Sequence, residues 1–242
     1  MSHRAAPRRV VCLVPSLTEA IAVTVPDRLA GATEWCTEPP GLDVARFGGT
    51  KNPDVTAIVA ARPDLVVVNT EENRAADLDA LRRADVRLWV TDPQTVPEAI
   101  TQLRDLLTAL GAARVPWLEA AETQWARPWT GERKRAVVPI WRRPWMALGR
   151  DTFAGDVLAR IGVDNVLAGD DERYPRIDIT ALPRHDLVVL PDEPYAFSVT
   201  DGPEAFAAAS ACVSGRYLTW YGPSLAEARD VLSAQVWTAV EA

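Results

Sequence analysis

Histidine and cysteine are scarce in this sequence, and their scarcity excludes several kinds of site. The 242-residue chain has only two histidines, His3 and His185, and three cysteines, Cys12, Cys36 and Cys212. A zinc or iron site needs several His, Cys or carboxylate ligands at close spacing, and none is visible, so we expect no protein-held metal. Three widely separated cysteines are not a disulfide framework, and they fit a reducing compartment.

Long basic runs and long apolar runs are absent as well. The formal net charge is −7, which argues against a nucleic-acid partner. No segment of about 20 apolar residues occurs, so we expect no membrane span. The apolar stretch Val10–Val14 is too short for a secretory signal and ends at Pro15. We therefore expect a cytoplasmic protein, or an extracytoplasmic one if the N-terminus is incomplete.

Motifs of common enzymes are missing too. The sequence contains no Gly-x-Ser-x-Gly, no P-loop and no Gly-x-Gly-x-x-Gly, and it offers no convincing histidine base for the usual acid–base or nucleophilic schemes. We assign no catalytic residue, and no cofactor is required. A carboxylate-based site that uses Glu38, Glu71 or Glu72 stays open.

Alternating strand and helix patterns predict an α/β fold. Short apolar runs such as Leu65–Val68 are typical of strands buried on both faces, and helical stretches between them imply parallel βαβ units. The stripe of apolar residues in Val96–Leu110, followed by a second helical stretch from Pro116 to Ala126, predicts a helical spacer. We expect an N-terminal α/β lobe over residues 1–92, a spacer over 93–131 and a C-terminal α/β lobe over 132–242.

An internal match supports two related halves. Residues 62–71 align without gaps on residues 184–193, and both share the pattern Arg-x-Asp-Leu-Val-Val. Residues 25–31 and 163–169 resemble each other as well. The sequence therefore predicts two Rossmann-like lobes with parallel sheets. Ligands of such sheets bind outside the carboxyl ends of the strands, so we expect a ligand cleft between the lobes.

The residues that follow the predicted strands are rich in aromatic and polar side chains. Clustered tryptophans and tyrosines are suited to stacking on a large, flat or macrocyclic ligand, although they can equally pack the lobes themselves. We predict that these side chains bind the ligand: Ser16, Trp35, Glu38, Asn69, Glu71, Asn73, Trp141, Arg142, Trp145, Tyr174, Tyr195, Trp220 and Tyr221.

Arg142 and Glu71 have two interpretations each. Arg142, which lies between two tryptophans, could grip a carboxylate or phosphate in bidentate fashion, or it could form an ordinary surface pair. Glu71 and its neighbour Glu72 could bind cationic groups, or they could be a solvated helix N-terminus. Cys36 is the only candidate for an axial or reactive thiol.

Several segments resemble a known superfamily in order and spacing. They are Val14–Glu19, Trp35–Pro40, Gly48–Asp54 and Arg62–Val67. The chain is similar to the cobalamin- and iron-siderophore-type periplasmic binding proteins, which have a helical backbone (class III). The segments Gly49–Asp54, Glu71–Arg74 and Trp141–Met146 look like the leaderless branch called helical backbone metal receptors.

The resemblance implies a ligand and partners. It implies that Trp35, Glu38, Asn69 and Tyr174 face the ligand. We expect a monomer that binds a corrinoid such as cobalamin, another tetrapyrrole or a metal chelate in an aromatic-lined cleft between lobes, without catalysis. Relatives in importers dock on an ABC permease, whereas the missing leader argues against such docking here. The alternative is a cytoplasmic enzyme or cofactor-handling accessory protein on the same scaffold.

Overall fold

The computed structural model describes residues 6–238, which form two compact units. The first unit contains the chain up to Pro93, together with Ala99–Glu119 and Tyr221–Pro223. The second contains Gln94–Glu98, Ala120–Trp220 and the chain from Ser224 onward. Each unit has its own parallel sheet, so the predicted α/β class with two sheet cores is confirmed.

The sheet of the first unit has five parallel strands in the order β3-β2-β1-β4-β5. Its strands are β1 (Val10–Cys12), β2 (Leu29–Ala32), β3 (Ala45–Arg46), β4 (Leu65–Asn69) and β5 (Leu88–Thr91). The central strands β1 and β4 are buried along their whole length, which their apolar sequences predict. Val11, Val66 and Val68 of these strands pack with Phe47 and Ile58 in the core of the unit.

Three helices connect these strands, α1 (Pro15–Thr24), α2 (Val55–Ala60) and α3 (Ala75–Arg83). Pro15 occupies the first turn of α1, where its missing N–H costs nothing. Ser16 and Thr18 therefore lie inside the helix. The Asp54 side chain caps α2 by accepting a hydrogen bond from the Ala57 N–H at 2.9 Å, as expected for an N-cap carboxylate.

Two further helices belong to the predicted spacer, α4 (Val96–Ala109) and α5 (Pro116–Trp125). The apolar stripe of α4 from Val96 to Leu107 is buried, which confirms the predicted amphipathic helix. Gly111 follows with a φ of +94°, a conformation that favours glycine after a helix end. No helix formed by residues 6–238 combines the length and the apolar composition that crossing a membrane requires.

The second unit has a four-stranded parallel sheet in the order β11-β10-β6-β9 and a separate antiparallel hairpin. The sheet strands are β6 (Lys134–Val137), β9 (Val163–Asn165), β10 (Leu187–Pro191) and β11 (Ala209–Val213), and the hairpin strands are β7 (Pro139–Arg142) and β8 (Trp145–Ala147). The helices are α6 (Phe153–Ala159), α7 (Gly215–Thr219) and α8 (Leu225–Thr238). The Thr152 side chain caps α6 by accepting a hydrogen bond from the Gly155 N–H.

The two sheets repeat one plan, which confirms the prediction of related halves. Strands β4 and β10 begin and end at aligned positions, and each has the earlier strands of its sheet on one side and the next strand on the other. The shared aspartate has the same role in each half. The Asp64 N–H donates to the Arg9 carbonyl at 2.8 Å, and the Asp186 N–H donates to the Arg135 carbonyl at 2.8 Å.

Two details of the second half differ from what the sequence pattern suggests. The apolar run 136–141 is typical of a single strand, but β6 ends at Val137 and the chain turns into the hairpin strand β7. The proposed match of residues 25–31 with 163–169 is out of register, because it would place β2 opposite residues 167–170 whereas β9 is Val163–Asn165.

Candidate functional site

In the first unit, the loop after β2 presents one strongly exposed tryptophan. Trp35 is 69% exposed, and its indole edge lies against Gly49, where an added Cβ would stand 3.3 Å from the indole nitrogen. The loop is held by the Glu34 N–H, which donates to the Gly48 carbonyl at 2.8 Å. Glu38 in the same loop is half-buried. An exposed indole on a fixed loop can offer its face to a flat ligand.

Ser16, by contrast, is 4% exposed in the first turn of α1. Gly222 passes so near that a Cβ there would stand 2.7 Å from the Ser16 carbonyl oxygen. This part of the first unit is closely packed, and the predicted ligand contact of Ser16 stays a prediction.

The carboxyl end of β4 holds a buried polar network centred on Asn69. Its side-chain amide donates to the Tyr221 hydroxyl at 2.7 Å and to the Thr91 carbonyl at 3.1 Å. Its side-chain oxygen accepts from the Glu71 N–H at 2.7 Å and from the following N–H at 3.0 Å. Asn69 is 3% exposed, so its polar atoms are engaged inside the unit, as burial requires.

Asn73 and Tyr221 belong to the same network. The Asn73 oxygen accepts from the Asn69 N–H at 2.9 Å, and its amide donates to the Thr50 carbonyl at 3.0 Å. Burial raises the pKa of the Tyr221 hydroxyl well above its usual range, so this group acts as a neutral hydrogen-bonding partner. The structure gives Asn69, Asn73 and Tyr221 a role in fixing the strand ends, and a direct ligand contact by them stays a prediction.

Glu71 follows this network at the start of the next turn. Its backbone is held on both sides, because its N–H donates to Asn69 and its carbonyl accepts from the Lys51 ammonium. The side chain is half-buried. The turn therefore presents Glu71 from a fixed backbone, whichever partner the carboxylate has.

In the second unit, the hairpin sorts the predicted aromatic contacts onto two faces. Trp141 pairs with Met146 across the hairpin, and Arg142 pairs with Trp145. Directly opposite residues of an antiparallel pair point to the same face, and neighbours along a strand point to opposite faces. Trp141 and Trp145 therefore lie on different faces, which the sequence did not predict.

The Trp145 face packs on the unit itself. The Trp145 ring stacks on Phe197, with centroids 6.0 Å apart and planes at 5°, and meets Phe206 edge-on at 5.3 Å. Trp145 packs against a core of Val188, Leu190 and Phe197. A ring in this position stabilises the unit, and less of its surface remains exposed for a ligand to contact.

The Trp141 face is open to solvent. Trp141 is 42% exposed, and its ring meets that of Tyr195 edge-on with centroids 5.7 Å apart. At the edge of the hairpin, an antiparallel backbone bridge joins Met146 to Arg176 on a third extended segment. Tyr174 lies on that segment, beside a surface depression of about 380 Å³ that Met146, Arg176 and neighbouring residues also line.

The Arg142 guanidinium is already paired with carboxylates. It forms ion pairs with Asp201 and Glu204 and lies over the Trp145 ring at 5.4 Å. The pKa of Glu204 is lowered, first because its carboxylate accepts the Gly202 N–H. Sequence reasoning missed both acids, and the turn-forming Asp-Gly-Pro of residues 201–203 was the available signal that a loop folds back here.

Trp220 is held at the carboxyl end of the second sheet. Its indole N–H donates to Glu193 at 3.2 Å, and the Arg216 guanidinium lies 4.7 Å from its ring centroid. The half-buried ring is thus fixed at one edge and covered on one face by a cation.

The thiol candidate Cys36 is fully buried. Its sulfur contacts the hydroxyls of Thr18 and Thr33, each at 3.1 Å. Nearby, burial and, second, the neighbouring Cys36 raise the pKa of Cys12 to about 12. Within residues 6–238, no group of three or more His, Cys, Asp or Glu side chains is arranged to hold a metal ion. Burial makes a structural thiol such as Cys36 inert.

Sequence comparison finds binding proteins among curated relatives. No family model matches the chain. The vitamin B12-binding protein of Pectobacterium carotovorum is 23% identical over 216 residues, which cover 84% of this chain and 75% of that protein. That of Vibrio cholerae is 22% identical over 182 residues, which cover 71% of this chain. The matched part spans only 65% of the Vibrio protein's length.

Solved structures agree over nearly the whole chain. The periplasmic vitamin B12 binding protein of Vibrio cholerae superposes with a TM-score of 0.79 at 17% identity, covering 98% of this chain and 99% of that one. The periplasmic heme-binding protein of Roseiflexus superposes with a TM-score of 0.74 at 19% identity, covering 96% and 98%. The Helicobacter pylori protein solved with a nickel–histidine complex gives 0.77 at 14% identity, covering 98% and 86%.

These comparisons bear on three expectations. The named relatives are binding proteins, which supports the expectation of a non-catalytic protein. The expected cytoplasmic location receives no support, since structures among the relatives are named as periplasmic. At these identities the likeness establishes the fold: the chain has the fold of the helical-backbone, class III binding-protein superfamily.

Proposed function

We propose that the protein binds a corrinoid, or a metal chelate of similar size, and releases it unchanged. The observation that supports this most is the placement of exposed rings at the carboxyl ends of strands. Trp35 follows β2 in the first unit, and Trp141 with Tyr195 follows β6 and β10 in the second. Parallel α/β sheets bind ligands at these ends.

The chemistry of these rings favours a large flat ligand. An indole that keeps 69% of its surface in water gains from being covered, because an aromatic side chain buries about 150–250 Å² when it is enclosed. Stacking on a macrocycle covers the ring without requiring a charged partner. The relatives named for vitamin B12 and heme have ligands of this shape.

Titration of the purified protein with cyanocobalamin, hemin and ferric chelates tests the proposal. We expect quenching of tryptophan fluorescence that saturates at micromolar corrinoid or chelate. A flat response to every ligand in this panel would refute it. Calorimetry on the same samples supplies the stoichiometry, which we expect to be one ligand per chain.

Matched tryptophan variants locate the binding surface. Trp35→Ala and Trp141→Ala should each raise the dissociation constant by about tenfold, a loss of about 1.4 kcal/mol. Trp89→Phe is the control, because Trp89 lies within β5 and outside the loops. Equal affinity in all three variants would remove both exposed rings from the site.

Location and partner are part of the proposal. We place the protein outside the cytoplasm, as the relatives named periplasmic are. Delivery of the ligand to an ABC permease stays a prediction of the resemblance. Cell fractionation with compartment markers tests the first point, and co-purification with a candidate permease in detergent tests the second.

A further inference from the structure

One arginine of the hairpin is held between two carboxylates of a neighbouring loop. The Arg142 side chain is 19% exposed and pairs with Asp201 and with Glu204, both in the segment that follows β10. Two carboxylates occupy the donor fork of a guanidinium. Trp145 covers the same group at 5.4 Å. Both terminal nitrogens of Arg142 therefore have a carboxylate partner within the unit.

The same ion pair reaches the exposed ring of the hairpin through one hydroxyl. Asp201 also accepts a hydrogen bond from the Tyr195 hydroxyl at 2.8 Å. The Tyr195 ring meets the Trp141 ring edge-on, with planes at 80°. A continuous line of contacts thus runs from the guanidinium, through Asp201 and Tyr195, to Trp141.

We infer that Arg142 is a positioning residue, which orients the Trp141–Tyr195 pair for the ligand through Asp201 and does not itself bind the ligand. This inference rests on the proposed function, because it takes Trp141 to be part of the ligand-facing surface. It assigns a role to Asp201 and makes Arg142 a support behind the binding rings.

The two roles of Arg142 predict opposite effects of removing its acidic partner. If Arg142 grips an anionic group of the ligand, Asp201→Asn leaves Glu204 as the one carboxylate that competes for the guanidinium, and binding becomes stronger. If Arg142 positions the aromatic pair, Asp201→Asn removes the ion pair that fixes residue 201 beneath the Tyr195 hydroxyl, so Tyr195 is held less firmly and binding becomes weaker. The sign of the change in affinity therefore separates direct contact from positioning.

The experiment compares Arg142→Gln, Arg142→Lys and Asp201→Asn with the control Arg143→Gln, which changes the exposed neighbour. Binding is measured with cyanocobalamin, which carries a phosphodiester, and with dicyanocobinamide, which lacks it. Separately, the ligand-free proteins are labelled with fluorotryptophan, and fluorine NMR follows the Trp141 resonance, assigned with Trp141→Phe. Far-UV circular dichroism confirms that each variant is folded.

For positioning, we expect Arg142→Gln and Asp201→Asn to weaken binding of both corrinoids by the same factor, roughly fivefold to tenfold, as for residues that share one network. Arg142→Lys should restore part of the affinity. The Trp141 resonance should shift or broaden in both charge-removing variants and stay unchanged in Arg143→Gln.

Tighter binding by Asp201→Asn, or a loss by Arg142→Gln confined to the phosphodiester ligand, would overturn the inference. So would an unchanged Trp141 resonance in Arg142→Gln. If the wild-type protein binds neither corrinoid, the proposed function fails for this ligand class. The fluorine measurement in the ligand-free protein then still decides whether Arg142 orients Trp141.

Discussion

The two tryptophans of the hairpin should respond differently to truncation, although the sequence assigned both to the ligand. We expect Trp145→Ala to lower the free energy of unfolding of the second unit strongly and Trp141→Ala to lower it weakly. The reason is the hairpin register, which places the two rings on opposite faces. One ring faces the core of the unit and the other faces solvent.

The contacts of Trp145 set the magnitude. It makes a stacked contact with Phe197 at 6.0 Å and an edge contact with Phe206 at 5.3 Å, and such pairs contribute about 0.5–1.5 kcal/mol each beyond burial. Full truncation of a buried tryptophan costs about 3–5 kcal/mol. For the half-buried Trp145 we expect a loss of about 2–3 kcal/mol. Trp141 has one edge contact with Tyr195 and one exposed indole hydrogen bond to the Arg143 carbonyl at 3.2 Å, and its truncation should cost about 1 kcal/mol.

Urea unfolding followed by far-UV circular dichroism measures this difference. With a typical dependence of the unfolding free energy on urea, Trp145→Ala should lower the urea concentration at the midpoint of unfolding by roughly 1 M. Binding should show the reverse order, with the larger loss of affinity in Trp141→Ala. A Trp145→Ala variant with a wild-type midpoint, or a Trp141→Ala variant less stable than Trp145→Ala, would show that the register argument is wrong.

Three further predictions concern the first unit. Asn69→Ala should lower the free energy of unfolding in urea by about 1–3 kcal/mol, because it leaves buried partners unpaired. The double variant Asn69→Ala/Tyr221→Phe should lose less stability than the sum of the two single variants, because both substitutions remove the same hydrogen bond between Asn69 and Tyr221. Backbone N–H donors lower the pKa of Asp64, so its contribution to stability is present above about pH 4 and is lost as pH falls through the lowered value. Asp64→Asn should therefore lose less stability than wild type on acidification, in urea midpoints measured across that range. Cys12, whose pKa burial raises to about 12, should resist iodoacetamide at about pH 8 in the folded protein and react in urea, as mass spectrometry of its peptide can show.

The buried strands could be predicted because their signals are local. The runs at Leu65 and Leu187 are apolar on both faces, and each follows a helix or turn signal. Such a run is a strand of a covered parallel sheet whatever the rest of the chain does. The repeated Arg-x-Asp-Leu-Val-Val pattern added the register, since the aspartate makes the same backbone bond in both halves.

The hairpin could not be predicted in the same way. Residues 136–141 form one apolar run whose break signal is Pro139, the first residue of β7. A proline at this position does not say whether the chain stays in the same sheet. Tertiary packing decides where such a run leaves the sheet. Without the break, the alternation of Trp141 and Trp145 across two faces cannot be read from the sequence.

The structural role of the polar residues after β4 could not be predicted for another reason. Polar side chains at strand ends often contact ligands, and this is why the sequence predicts ligand contacts for Asn69 and Asn73. The Asn69 partner Tyr221 lies 152 residues farther along the chain. Burial and pairing over such a separation leave no local pattern, so a structural asparagine and a ligand-binding one look alike in sequence.

Comparison of the two halves separates the shared scaffold from what the second unit adds to it. The central strands and the aspartate bond repeat in both units, so they serve the fold. The strand that opens each sheet continues differently: β1 leads directly into α1, whereas β6 leads into the hairpin that carries Trp141 and Arg142. A duplicated sheet needs no such hairpin for its own closure, because β6 already pairs on both sides with β9 and β10. The hairpin is therefore an addition to the repeated plan: its Trp145 face packs on the core of the unit, and its Trp141 face is exposed. Changes there should alter ligand affinity more than changes in the repeated strands alter it at equal stability.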